Sequence, residues 1–133
     1  MKKYEHLIQT GIEQPLSAVS FHHDAPLTRY VMLQKEEVEG DGGLKIVVHV
    51  IKDLPATIPP YADLHKHDFD EINLILSEDN SLKYKVQLDD EVYEAISPST
   101  IYIPKGVRHS AEVLSGHGMY ITILFTKEYK AQK

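Results

Sequence analysis

The sequence predicts an all-β fold, a sandwich or barrel of short strands. Two observations carry that prediction. From about residue 27 onward, β-like runs recur roughly every ten residues and are separated by turn residues. Within them, residues 82–88 alternate cleanly: Leu82, Tyr84, Val86 and Leu88 fall on one face, Lys83, Lys85 and Gln87 on the other. The chain has 133 residues, which suits one domain over 1–133. A domain of this size buries roughly two thirds of the surface its unfolded chain exposes, enough for a core without staples.

The elements follow in order. Residues 5–21 read as a short helix or irregular structure, and 1–40 as an N-terminal extension with the first strands. Asp41-Gly42-Gly43 signals a turn. Residues 44–54 form a β-branched run with too few alternating polar residues for a half-exposed strand, so it should be largely covered. A strand over 72–76 precedes the alternating one. Asp89-Asp90 then reverses the chain into 91–96. A strand over 100–103 stops at Pro104, a last one covers 119–125, and 126–133 looks like a polar tail. The barrel core is placed at 45–125. No repeat, linker or low-complexity tract interrupts this order.

Composition narrows the function classes. The formal net charge is -6 and no stripe of Lys and Arg offsets it. Nucleic-acid binding, which needs a basic surface to displace counterions, is not expected. There is no cysteine, hence no disulfide and no thiolate metal site. No segment has the length and apolarity of a membrane span or a leader peptide, so a soluble, cytoplasmic protein is expected.

The chemistry concentrates in two places. His65-Lys66-His67-Asp68-Phe69-Asp70-Glu71 offers two imidazoles and a carboxylate. Pro104-Lys105-Gly106-Val107-Arg108-His109 offers a third imidazole after a Pro-x-Gly turn. On a strand, His65 and His67 share a face about 6.6 Å apart and can reach one ion. Glu71 would lie roughly 13 Å from His67 on the same straight strand, so the chain must turn at 68–70 for Glu71 to face back. The same logic applies at the Pro-x-Gly turn, where a new strand begins near His109. Two hairpins side by side would unite the four groups. His-x-His alone is common on surfaces, and the spaced Glu and the Pro-x-Gly-x-x-His lift it above chance. Imidazole with carboxylate suits one divalent transition metal per chain, Fe, Mn, Ni or Zn.

These two segments resemble the paired motifs of the cupin family. The resemblance covers about residues 45–125. It implies a double-stranded β-helix (a small jelly roll) with His65, His67, Glu71 and His109 as ligands at its mouth. It also implies a homodimer formed through the sheets. The framing positions depart from the family pattern. Pro59, Glu78 and Pro98 stand where glycines are usual, and Val113 where an asparagine is. Those departures bear on loop geometry rather than on the ligands.

The remaining candidates divide by position. Asp63, Asp68 and Asp70 read as solvent-facing carboxylates of turns, and His6, His22, His23 and His117 as surface or turn residues. His49, inside the apolar run, reads as a satisfied core histidine. Tyr61, Tyr102 and Tyr120 read first as packing, and as proton donors or acceptors if they line the barrel. Lys105 and Arg108 flank the mouth, where solvated charge is slightly favoured over reception of an anionic substrate.

Three histidines and one carboxylate leave positions open on an octahedral metal, which marks a working site. The resemblance implies an enzyme acting on a small polar metabolite, with a lean toward Fe(II) dioxygenase-type chemistry. A metal-dependent isomerase or lyase stands next, and a non-catalytic metabolite-binding cupin after that.

Overall fold

The computed structural model describes residues 2–35, 42–126 and 128–133. Asp41 and residues 36–40 of the expected N-terminal region lie outside them. Nine strands run in chain order: β1 Ile12–Glu13, β2 Thr28–Lys35, β3 Leu44–Ile51, β4 Glu71–Leu76, β5 Lys83–Leu88, β6 Glu91–Ile96, β7 Ser99–Ile103, β8 His109–Ser115 and β9 Gly118–Leu124. Two short 3₁₀ turns, Glu5–Leu7 and Leu16–Ala18, precede β2. There is no α-helix among the described residues, and no helix long and apolar enough to cross a membrane.

The strands form two antiparallel sheets, one of six in the order β1-β2-β3-β9-β4-β7 and one of three in the order β6-β5-β8. This is the expected jelly roll. Its connections follow from local chemistry. Asp89 sits at φ 53 in the two-residue loop joining β5 to β6, a conformation Asp tolerates better than most residues. Gly116, at φ +90, connects β8 to β9, and a Cβ there would come 2.1 Å from the Ser81 carbonyl oxygen. Only glycine fits.

The sheets meet at one end of the barrel. Ile51, Ile75 and Tyr120 from the larger sheet pack on Tyr84, Val86 and Val113 from the smaller. Tyr84 and Tyr120 stack across the gap at 4.4 Å between ring centroids. Each fully buried aliphatic side chain here, such as Ile75 or Leu82, contributes about 1.5–3 kcal/mol by leaving water. Val113 is part of this core, which accounts for an apolar residue where the resemblance leads one to expect asparagine. The alternation of 82–88 holds as read: Leu82, Tyr84 and Val86 are buried.

Register fixes the other end. Leu88 pairs with His109, while Glu71 pairs with Leu124, which in turn pairs with Lys45. The apolar packing thus occupies one half of the barrel, and the polar groups of β3, β4 and β8 collect in the other.

Two expectations need correction. The 44–54 run is not covered on both faces. Val47, His49 and Ile51 point inward and are buried, whereas Ile46, Val48 and Val50 alternate outward and are half-buried. Within 128–133, in the stretch read as a polar tail, the chain is paired. Lys66 and Gln132 exchange two backbone hydrogen bonds, at 2.7 and 2.8 Å, which fold the segment back against the His-x-His stretch.

Candidate metal centre

The four candidate ligands come from three places. Glu71 opens β4 in the larger sheet and His109 opens β8 in the smaller. His65 and His67 lie on the extended segment between the sheets. That segment is pinned by a backbone pair, His65 N–H to His109 O at 3.1 Å and His109 N–H to His65 O at 2.8 Å. The chain bends at Asp68 and Phe69, as the 13 Å argument requires. The geometry is therefore a junction of both sheets and a connecting segment rather than two adjacent hairpins. All four side chains are buried.

One pattern organises the imidazoles. His65 Nδ1 bonds the Asp63 carbonyl at 2.7 Å, His67 Nδ1 the Phe69 carbonyl at 2.9 Å, and His109 Nδ1 the Val107 carbonyl at 2.9 Å. A carbonyl only accepts, so each Nδ1 carries the proton and each Nε2 presents a lone pair. Ring stacking fixes the orientation further. Phe69 stacks on His67 at 3.9 Å and Phe21 on His65 at 5.8 Å. Phe21 does so from a left-handed backbone, φ 65, a conformation that costs a bulky residue about 1–2 kcal/mol.

The possible ligand atoms of the three histidines lie within 4.8 Å of one another. Glu71 Oε1 approaches His67 Nε2 at 2.8 Å and His109 Nε2 at 3.5 Å. Its other oxygen accepts the Asn73 amide at 2.8 Å. Three lone pairs and a carboxylate facing one buried point repel unless a cation sits among them. Protons on the imidazoles meet the same demand in a cation's place. Burial pushes Glu71 up, but the His109 and His67 imidazoles and the Asn73 amide outweigh it and hold the carboxyl well below the usual range. Burial lowers His109, yet the adjacent Glu71 wins and the net shift is upward. His65 falls to about 4, chiefly through burial. A divalent metal satisfies every donor here, with the Nδ1–carbonyl bonds as the orienting outer layer.

A cavity of about 440 Å³ opens over the cluster and is lined by His65, Glu71 and His109. His67 is not among the lining residues. Tyr61 and Tyr120 line the same space, and burial raises both hydroxyls above their usual range, so they stay protonated. Tyr102 does not. It is exposed, and its hydroxyl donates to Asp70, whose other oxygen accepts the Lys105 N–H at 2.9 Å. Asp63 and Asp68 are exposed and are not ligands. Lys105 and Arg108 are exposed turn residues away from the cavity lining, as are His6 and His117 from the site.

Four cavity residues depart from the sequence reading. His22 is not on the surface. It lines the cavity and meets the His65 ring edge-on at 5.1 Å, while His23 beside it is exposed. His49 is buried and held to about 3 by burial, but it is not satisfied, since Nδ1 has no hydrogen-bond partner among the described residues. Arg29 and Tyr129, both unmarked in the sequence, also line the cavity. Tyr129 comes from the returning C-terminal segment and meets His67 and Phe69 edge-on, each at 6.0 Å.

No protein-family model and no curated protein matches the chain. Solved structures do. A cupin 2 conserved barrel domain protein from Rhodopseudomonas palustris superposes with a TM-score of 0.61 at 10% identity, covering 92% of this chain and 75% of that one. KdgF from Halomonas sp. gives 0.54 at 16%, covering 80% and 92%. An oxalate decarboxylase gives 0.54 at 15%, covering 99% of this chain and 34% of its own. The chain has the fold of the small cupins, and at these identities the likeness carries the fold alone.

Proposed function

We propose that this cupin-fold chain is an enzyme that acts on a small, polar, oxygen-rich metabolite through one divalent transition metal held by His65, His67, Glu71 and His109. One observation carries the reading. Three proton-free Nε2 atoms and a carboxylate oxygen converge beside an open polar cavity. A purely structural ion would be closed in by protein ligands on every side.

Bound there, Fe, Mn, Ni or Zn would act as a Lewis acid, and iron also as a redox centre, toward a substrate oxygen. The chain's own residues do the rest. Glu71 lowers the charge of the centre. The Nδ1–carbonyl bonds and the stacked Phe69 and Phe21 keep the imidazoles aimed. Tyr120 lines the cavity with a protonated hydroxyl, while Tyr61, whose hydroxyl accepts the Val113 N–H at 2.7 Å, braces the wall from the core.

Oxidative chemistry at Fe(II) is the first reading, because imidazole and carboxylate with open positions suit it. An isomerase or lyase is the second, and Tyr120 in the cavity lining favours it, since a protonated hydroxyl can hand a proton to a substrate carbon or oxygen. The test is elemental content of protein purified without chelator, followed by turnover with and without oxygen. Iron with substrate-dependent oxygen uptake supports the first. Turnover without oxygen supports the second. A metabolite bound and returned unchanged under both conditions would overturn catalysis and leave a binding module.

A homodimer belongs to the same proposal. The outward residues of the three central strands of the larger sheet are all apolar, with Ile46 and Val48 on β3, Ile121 and Ile123 on β9, and Ile72 and Leu74 on β4. A continuous aliphatic sheet face of this kind is what a second copy covers. Val48→Glu should give a monomeric mass where the parent gives twice that. A monomeric parent at micromolar concentration would overturn the dimer.

A further inference from the structure

We propose that Arg29 and Lys45 form an oxyanion subsite on the inner wall of the barrel, so that the molecule held above the metal centre carries a carboxylate or a similarly compact anionic group.

The first ground is an unanswered charge. Arg29 is 5% exposed, and its side chain is matched by a neutral group, the Gln14 Oε1 atom at 2.8 Å from Nη1. A guanidinium has five N–H donors in a fork shaped for a carboxylate or phosphate, and most of them are left for something else. Among the described residues no carboxylate stands at ion-pair distance from it. Lys45, half-buried on β3, likewise forms no ion pair among the described residues. Both groups line the same cavity. Arg29 is close enough to act on Lys45: burial first, and then Arg29, lowers the Lys45 ammonium.

The second ground is the charge balance of the cavity. Among the described residues Glu71 is the one carboxylate in its lining; Oε1 faces the histidine Nε2 atoms and Oε2 accepts the Asn73 amide. Tyr61, Tyr120 and Tyr129 are protonated, and His49 is neutral at physiological pH. Arg29 and Lys45 against Glu71 give these three groups a formal sum of +1, and a divalent ion would make it more positive still. The chain as a whole is at -6. A cationic pocket inside an acidic protein draws in small anions and excludes cations of similar size.

The third ground is position. Arg29 and His49 are cross-strand partners on β2 and β3, and the unpartnered His49 Nδ1 adds a hydrogen-bonding group on the same inner wall. Lys45 is level with Glu71, two strands away through Leu124, or about 10 Å between backbones. One short molecule can therefore touch the cationic wall and the metal centre together. Lys105 and Arg108, the cations that the sequence places near the mouth, are exposed and lack this enclosure.

The subsite deepens the metal-enzyme reading, and rests on it only for the claim that the bound anion is a substrate. The experiment separates the two. The chain, metal-free and then zinc-loaded, is titrated calorimetrically with succinate, with neutral succinamide and with inorganic phosphate. Succinate or phosphate should bind the metal-free protein. Succinamide should bind at least about tenfold more weakly than succinate, the scale of losing one charged hydrogen-bonded contact. Arg29→Gln should weaken anion binding at least about tenfold, Lys45→Gln several-fold, and neither should change zinc stoichiometry. A preference for phosphate over succinate assigns the subsite to phosphate esters, and the reverse assigns it to carboxylates. If Arg29→Gln does not fold, Arg29→Lys replaces it and should still weaken binding by losing the fork. Equal affinity for succinate and succinamide, or unchanged anion affinity in the Arg29 and Lys45 variants, overturns the subsite. Zinc that fails to bind while succinate binds overturns the metal reading and leaves the subsite standing.

Discussion

The backbone N–H of Gly106 donates to the carbonyl of His67 at 2.8 Å. This one bond ties the Pro-x-Gly turn to the His-x-His segment, two stretches forty residues apart that contribute to the same centre. Asp70 ties the same turn from the other side, through the Lys105 N–H and the Tyr102 hydroxyl.

Gly106 has φ +83, and a Cβ added there would meet nothing within 4 Å. Gly106→Ala should therefore cost backbone strain alone, about 1–2 kcal/mol. A fall in Tm of about 3–8 °C is expected for a domain of this size. An unchanged melting curve would show that the turn relaxes without cost.

Glu71→Gln keeps the shape of the side chain and removes its charge. Divalent metal affinity should drop by at least about tenfold in a direct titration. His67→Ala should lower metal occupancy in elemental analysis more sharply, because a whole donor is lost. Equal affinity in the Gln variant would place this carboxylate outside the coordination sphere.

Tyr129→Ala should destabilise the protein by at least about 0.5–1.5 kcal/mol, since the ring's edge contacts with His67 and Phe69 are lost. Tyr129→Phe should retain most of that stability, which separates ring from hydroxyl. Denaturant unfolding of the two variants decides the matter. Equal loss in both would assign the effect to the hydroxyl.

His49 sets an acid limit. Burial drops it from 6.5 to about 3 in the folded chain. Between those values the unfolded chain takes up a proton that the folded chain refuses, so stability is lost as pH falls through this window and the loss is complete below it. At pH 5 the penalty from this one group is about 2 kcal/mol. His49→Phe should remove it, so that the variant loses less stability than the parent between pH 7 and pH 5. Parallel pH–stability curves would mean that His49 is not held neutral.

The strands and the four candidate ligands were legible because their signals are local. Alternation in 82–88, the turn required between His67 and Glu71, and the Pro-x-Gly before His109 each need only a few residues. What escaped depends on which side of a strand faces the cavity. In β3, Lys45 and His49 share the face of Val47 and Ile51, while Ile46, Val48 and Val50 look outward. The ordinary rule of apolar inside and polar outside is inverted where a polar cavity lies within and an aliphatic sheet face without. Read as one apolar run, 44–54 hides its two polar contributors. Arg29 and His22 escaped because their burial depends on long-range strand and bridge pairings. Tyr129 escaped because nothing in a charged, polar segment announces that its backbone will pair with Lys66. Asn73, which holds Glu71 from two positions along β4, shares its face by simple alternation and was accessible to the same argument that found Glu71.

The pairing of Lys66 with Gln132 also has a practical side. An affinity handle or fluorescent group attached beside Gln132 would sit at that bridge, next to the imidazoles. A polyhistidine handle there could compete for the very ion being assayed. A handle on the N-terminal side, before the exposed Glu5–Leu7 turn, avoids that attachment point, and metal and anion measurements belong on that version or on the untagged chain.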